Sequence, residues 1–302
     1  MDKKEKTRKK GLQFSVLMCY HNTAIKSGGR RRARRKKHMK KVRIIALVLV
    51  VALCAALFTG CAKKDSDSDT AYVKKNGKLI VGITDFAPMD YKEAGSDEWV
   101  GFDADMAKAF AKELGVDVEF IEINWDNKAV ELETKAIDVV WNGMTITDEV
   151  KNLMSVGNAY CNNAQVVVVN AAAADQYQTA DSVRSLSFAA ENGSAGAEQL
   201  DLLGVAYTAV DTQAKALMEV ASGSVDACVI DSLMAAAMVG AGTDYPELTY
   251  TVGLNSEEYG VGFRKGSDLV DAFNAFWKAA YDDGTVMKTA ETYKVQAAII
   301  AQ

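Results

Sequence analysis

The sequence predicts an α/β protein made of two lobes, each built on a parallel sheet. Three observations carry that expectation. From residue 78 onward, short apolar strands alternate with amphipathic helices, the pattern that packs helices on both faces of parallel strands. The alternation lapses at a polar, alanine-rich loop, 171–179, and then restarts as a second set. The chain has 302 residues, 49% of them hydrophobic, which is enough to bury one large or two small cores.

The N-terminal part has a different character. Residues 1–38 are crowded with lysine and arginine, and the run Arg30-Arg31-Arg32-Ala33-Arg34-Arg35-Lys36-Lys37 has the look of a nucleic-acid arm. Glycine, arginine and lysine can also be encoded by purine-only codons, as a ribosome-binding site read in frame would be, and Met39 follows directly. Translation is therefore expected to start at Met39, with 1–38 untranslated or a disordered basic leader; mass spectrometry of the precursor checks this.

Residues 39–60 then read as an export signal. Lys40, Lys41 and Arg43 precede fifteen uncharged residues, Ile44 to Phe58, closed by Thr59-Gly60-Cys61. Fifteen helical residues rise only about 22 Å, short of the roughly 30 Å of a bilayer core. A lipoprotein cleavage box is the better reading, with Cys61 acylated and the rest of the chain held on the outer face of a membrane. Phe58 stands where such boxes usually carry leucine, one place after Leu57.

Residues 1–60 hold 17 of the 35 basic residues but only Asp2 and Glu5 of the 40 acidic ones, so the exported part carries 18 against 38, near −20. That surface disfavours nucleic acid and anionic lipid as partners. Beyond the lipid cysteine only Cys161 and Cys228 remain, without disulfide-framework or metal-ligand spacing, and no cofactor is expected. Both are expected to be buried free thiols.

In chain order, 61–77 lacks periodicity around Asp65-Ser66-Asp67-Ser68-Asp69 and is expected to be a flexible tether. Lys78 to Ile83 is a strand. Met106, Phe110 and Leu114 share one helix face over Phe102 to Leu114, stopped by Gly115, and Val116 to Ile123 alternates as a strand. A helix over Lys128 to Thr134 and a strand over Val139 to Trp141 follow, then a helix capped by Thr147 with Asp148 and Glu149 in its first turn. Gln165 to Asn170 is an apolar strand. The second set comprises strand Leu186 to Ala190, the turn Asn192 to Gly196, a helix, strand Val205 to Tyr207, helix Ala214 to Ser222 and strand Ala227 to Ile230. Tyr259 to Phe263 is the last expected strand, before helices Leu269 to Asp283 and Val286 to Tyr293.

Several segments, taken in order, resemble one known family. Gly82-Ile83-Thr84-Asp85-Phe86-Ala87-Pro88, Val100-Gly101-Phe102-Asp103-Ala104-Asp105-Met106-Ala107, Ile137-Asp138, Gly143-Met144-Thr145-Ile146-Thr147, Val225-Asp226-Ala227-Cys228-Val229-Ile230-Asp231 and Glu258-Tyr259-Gly260-Val261-Gly262-Phe263-Arg264-Lys265-Gly266 are similar to the polar amino acid family of solute-binding proteins of ABC importers. The resemblance spans residues 78–300. It implies a periplasmic-binding-protein-like fold: lobe 1 from 78–168 and 254–302, lobe 2 from 169–253, two parallel-sheet lobes joined by two hinge strands that close on a ligand. It also implies a monomer that delivers a small polar solute to an importer permease.

Carried over residue by residue, the resemblance gives Phe86 as the cleft aromatic, Trp125 as an apolar wall, and Asn142, Gly143 and Thr145 as the loop at the ligand's polar end. Ser194 and Ala195, with Gly193 and Gly196, form the lobe 2 loop, where free N–H groups ahead of a helix suit an anion. Asp231 receives the α-ammonium by a charge-assisted hydrogen bond. The family's carboxylate-clamping arginine is replaced by Val150, and Arg184 and Arg264, the only arginines beyond the signal, match no cleft position. Asp85, Glu191 and Asp231 offer carboxylates, and Phe86, Trp125, Trp141 and Tyr160 offer aromatic faces. That inventory leaves two ligand classes open, an amino acid or an amine or quaternary ammonium without the carboxylate.

Plainer roles stand beside these. Trp141 enters the core on a strand and is expected to pack rather than bind. Glu191 could be a solvated turn residue, and Asn162 and Asn163 fit the hinge better than the ligand site. Enzyme chemistry lacks its usual parts: there is no Gly-x-Ser-x-Gly elbow, no phosphate loop and no histidine beyond residue 38. A dehydratase using Glu191 and Asp231 as acid and base is a remote alternative. A signalling sensor would need a membrane span and output module after residue 302.

Overall fold

The computed structural model describes residues 68–302. The expected start at Met39, the signal over 39–60 and the lipid-bearing Cys61 lie outside the described residues.

The first lobe begins with α1 (Asp69–Asn76), β1 (Lys78–Ile83), the short antiparallel pair β2 (Tyr91–Lys92) and β3 (Trp99–Val100), α2 (Phe102–Leu114) and β4 (Asp117–Glu122). A 3-10 turn, Trp125–Asn127, leads into α3 (Lys128–Glu133), followed by β5 (Val139–Val140), α4 (Asp148–Leu153) and β6 (Ser155–Val156). The chain crosses through β7 (Cys161–Asn163) into the second lobe: β8 (Gln165–Asn170), β9 (Phe188–Glu191), α5 (Ala195–Leu203), β10 (Tyr207–Val210), α6 (Gln213–Ala221), β11 (Ala227–Asp231), α7 (Ser232–Met238) and β12 (Leu248–Gly253). It returns through β13 (Glu257–Tyr259) to β14 (Gly262–Phe263), α8 (Leu269–Asp282) and α9 (Thr285–Thr292).

The lobes hold one five-stranded sheet each, in the orders β4-β1-β5-β14-β6 and β10-β9-β11-β8-β12. Both are mixed rather than wholly parallel as expected. β1 pairs in parallel with β4 and β5, and β9 with β10 and β11, but β14 and β8 run antiparallel to their neighbours. The reason lies in the connections. Parallel neighbours need a helical crossover, whereas β8 and β14 each enter their sheet directly from the crossing strands. Those crossing strands, β7 and β13, pair with each other antiparallel, Cys161 opposite Tyr259 and Asn163 opposite Glu257, so the joint between lobes is a two-stranded ribbon. The boundary expected at 168/169 falls inside β8, whose pairing with the second sheet begins at Gln165.

Local signals explain the elements that hold the cleft. α2 buries Phe102, Met106, Phe110 and Leu114 along one face and stops at Gly115, where φ +75° lets the amide reach Ala111 and Lys112 carbonyls. α8 buries Leu269, Phe273 and Trp277. These helices meet in an aromatic cluster under the first sheet, with Trp141 and Phe273 rings 5.1 Å apart and Tyr160 and Trp277 4.9 Å apart. Such pairs add about 0.5–1.5 kcal/mol each beyond area burial.

The tether expectation for 61–77 needs correcting. α1 is capped by Ser68, which accepts from Ala71 N, and it ends at Gly77 in the left-handed region. Val73 is fully buried, and Asp69 accepts from Arg264 Nε at 3.0 Å. A helix of eight residues that buries so little apolar surface leaves almost no periodicity to read. The expected strand over Val205 to Tyr207 starts later, because Val205 N first closes the end of α5 on Leu200 O.

Candidate functional site

The carboxyl ends of strands from both sheets converge on a cavity of about 400 Å³ between the lobes, the position where open α/β sheets bind ligands. β1 delivers Thr84 and Phe86, β4 leads to Trp125 and Lys128, and β5 to the turn Asn142 to Thr147. From the other lobe, β9 ends in Glu191 with the turn to Ala195 behind it, and β11 ends in Asp231. All nine residues expected to bind ligand line this one cavity. Asp85 does not; it is exposed on another face, and Trp141 and Tyr160 are buried in the aromatic cluster. Thr84, Asp126, Lys128 and Gln213 also line it and were not expected. Lys128 opens the helix directly after Trp125, a placement that could have flagged it.

Several of the lining groups are already occupied by protein. Asn142 Oδ1 accepts from Thr84 N and Oγ1 at 2.9 and 2.8 Å, and its Nδ2 donates to Thr84 O and Asp90 Oδ2. Its side chain therefore shapes the turn and leaves little for a ligand. Gly143 N donates to Asp103 Oδ2 at 2.7 Å, and Thr145 Oγ1 donates to Glu257 Oε1 at 2.9 Å. Gly143 is required here: its φ is +56°, and a Cβ would strike the Phe86 ring. Phe86 in turn meets Tyr259 edge to face, 6.4 Å between centroids.

The acidic groups are the decisive feature. Asp231 Oδ1 accepts from Gln165 Nε2 at 2.9 Å, Tyr259 OH at 2.7 Å and Asn163 Nδ2, while Oδ2 accepts from Gln213 Nε2. Every one of those donors is neutral. Burial, with Glu257 nearby, pushes its carboxyl up to about 7 despite them. Glu191 is 2% exposed, its Oε1 has no hydrogen-bond partner among the described residues, and burial and Asp231 push it up to about 8. Neither carboxylate has a basic side chain within salt-bridge distance among the described residues.

The lobes touch at the mouth of this cleft. Lys128 Nζ lies 4.9 Å from the Trp125 ring centroid and donates to Trp125 O and, across the gap, to Gly193 O, both at 3.1 Å. Burial pulls its ammonium below the usual lysine range. Val150, in α4, is buried in the cavity wall, and no arginine among the described residues lines it. Arg264 is buried elsewhere between Asp69 and Asp138, and Arg184 is exposed beside Asp181.

Residues 79–296 match the bacterial extracellular solute-binding proteins, family 3. The chain belongs to this family. It is a solute-binding protein and not an enzyme, on a two-lobed periplasmic-binding-protein fold. Similar proteins include the arginine-binding extracellular protein ArtP of Bacillus subtilis, 29% identical over 250 residues covering 80% of this chain and 94% of that protein. The L-cystine-binding protein TcyJ of Escherichia coli is 27% identical over 260 residues, covering 84% and 97%. Among solved structures, a mutant of ArgBP from T. maritima superposes with a TM-score of 0.70 at 29% identity, over 75% of this solute-binding protein and 99% of that chain.

Proposed function

We propose that this protein captures a polar amino acid between its lobes, closes on it about the β7–β13 ribbon, and hands it to the permease of an ABC importer. One observation carries the reading: Glu191 and Asp231 are buried in the cleft wall with no basic side chain at salt-bridge distance among the described residues. Burying a carboxylate without a cation costs several kcal/mol, and an ammonium entering between them removes that cost. Phe86 and Trp125 offer apolar and cation-attracting surface beside it. The ligand's other polar end faces Thr145 and the first turn of α5, where Ser194 caps the helix and leaves the leading amides open to an anion. The arginine and cystine named for ArtP and TcyJ support an amino acid as the class.

Val150 favours a second reading, an amine or quaternary ammonium without an α-carboxylate, because valine offers an anion nothing. A thermal-shift screen against free amino acids, their α-amides and the matching amines separates the two. Ligand at about 100 times its Kd adds roughly 2.7 kcal/mol of stability. Stabilisation by amino acids supports the first reading, by amines alone the second, and by none of them neither.

The same proposal places the domain outside the cell on a lipidated Cys61. Metabolic labelling with a fatty acid is expected to mark the wild type and not Cys61→Ser; equal labelling of both would remove the anchor from the account.

A further inference from the structure

We propose that Lys128 supplies the counter-charge for the ligand's carboxylate, so that this cleft takes a zwitterion although Val150 occupies the clamp position. The inference rests on the amino acid reading and sharpens it. Lys128 is the only basic side chain lining the cavity among the described residues. It is half-buried, yet no carboxylate lies within salt-bridge distance of its Nζ. Two of its three N–H groups go to the Trp125 and Gly193 carbonyls, which aim the ammonium and leave one donor.

Its surroundings point to a ligand rather than to an internal pair. Glu191 exerts the largest charge effect on Lys128, but the two do not reach salt-bridge distance, and Glu191 Oε1 has no partner among the described residues. A buried acid and a half-buried base that face one cavity and remain apart leave space for a molecule carrying both charges. An ion pair with the ligand's carboxylate would satisfy the ammonium, and its cation would satisfy Glu191 and Asp231. Gly193 also stands two residues ahead of α5, so the bond from Lys128 ties the ammonium to the turn that leads into that helix on the other lobe. Anion-holding groups from both lobes are thus assembled only when the lobes meet, which ties recognition of the carboxylate to closure.

Isothermal titration of purified protein tests this. The tightest of the twenty standard L-amino acids and L-cystine is chosen first, then compared with its α-carboxamide and its decarboxylated amine. Wild type is expected to prefer the acid over the amide by about tenfold or more, equivalent to about 1.4 kcal/mol. Lys128→Met should bring the two within about threefold by weakening the acid more than the amide. Lys128→Arg should keep the preference, and Lys128→Met combined with Val150→Arg should restore it. A preference that survives Lys128→Met overturns the assignment and leaves the amino acid reading standing. Equal loss of acid and amide also overturns it, since Lys128 would then only latch the lobes. Failure of wild type to bind any amino acid removes both.

Discussion

Under the proposed function, Glu191 sets the stability of the empty protein against binding. Its carboxyl is pushed up to about 8 in the fold, from an ordinary value of 4.5, chiefly by burial. A folded value above the unfolded one means that the group contributes stability below about pH 4.5, and that this is lost as pH rises through about 8. Glu191→Gln is therefore expected to raise the melting temperature of the unliganded protein at pH 8 and above, and to weaken ligand binding at the same time. An unsatisfied buried group costs about 1–3 kcal/mol, and each kcal/mol moves the midpoint by roughly 2–4 °C in a domain of this size. Unchanged melting and binding across pH 6–9 would show that Glu191 does not face the ligand. Sequence reading reached this residue and the other eight because the ordered motifs resemble a family whose cleft lies at strand ends. It could not see which of them were already satisfied: Asn142 is spent on Thr84 and Asp90, a fact only the packed turn reveals.

At the scale of elements, Arg264 fastens the two ends of the first lobe. It sits just after β14 and donates to Asp69 in α1 at 3.0 Å, to Asp138 ahead of β5 at 3.0 Å and to Ile137 O at 2.7 Å, with 8% of its surface exposed. Arg264→Met should cost about 3–5 kcal/mol in urea unfolding, because Asp69 and Asp138 lose their partner in a buried setting. A loss below about 1 kcal/mol would place the pair in the class of exposed ion bridges. Elements with a strong period were legible: β1, α2 and β8 stand where the pattern put them, and Thr147 caps α4 as expected. α7, with the sequence Ser-Leu-Met-Ala-Ala-Ala-Met, carries no polar face to set a phase. The expected strand Tyr259 to Phe263 is split between the hinge ribbon and the first sheet, a division by tertiary pairing that alternation cannot show.

For the whole molecule, the proposed function turns on closure, and the contact between Lys128 and Gly193 makes it testable. Gly193 holds φ +69°, and a Cβ there would lie 2.6 Å from Asp126 Oδ1 on the opposite lobe. Gly193→Ala should thus obstruct closure, lowering affinity by about tenfold or more and abolishing the ligand-induced compaction seen by small-angle X-ray scattering. Wild-type affinity and compaction in that variant would mean that the lobes close on ligand by another path. The charge account leads to a further observable. A cation seated between Glu191 and Asp231 must ionise carboxyls that burial holds near pH 8 and 7, so binding is linked to proton release. The measurement that reaches this most directly is isothermal titration of the tightest amino acid at pH 7 in buffers of different ionisation enthalpy. The account predicts buffer-dependent heats corresponding to release of about one proton per ligand bound. Heats that do not change with buffer, or that correspond to proton uptake, would contradict it.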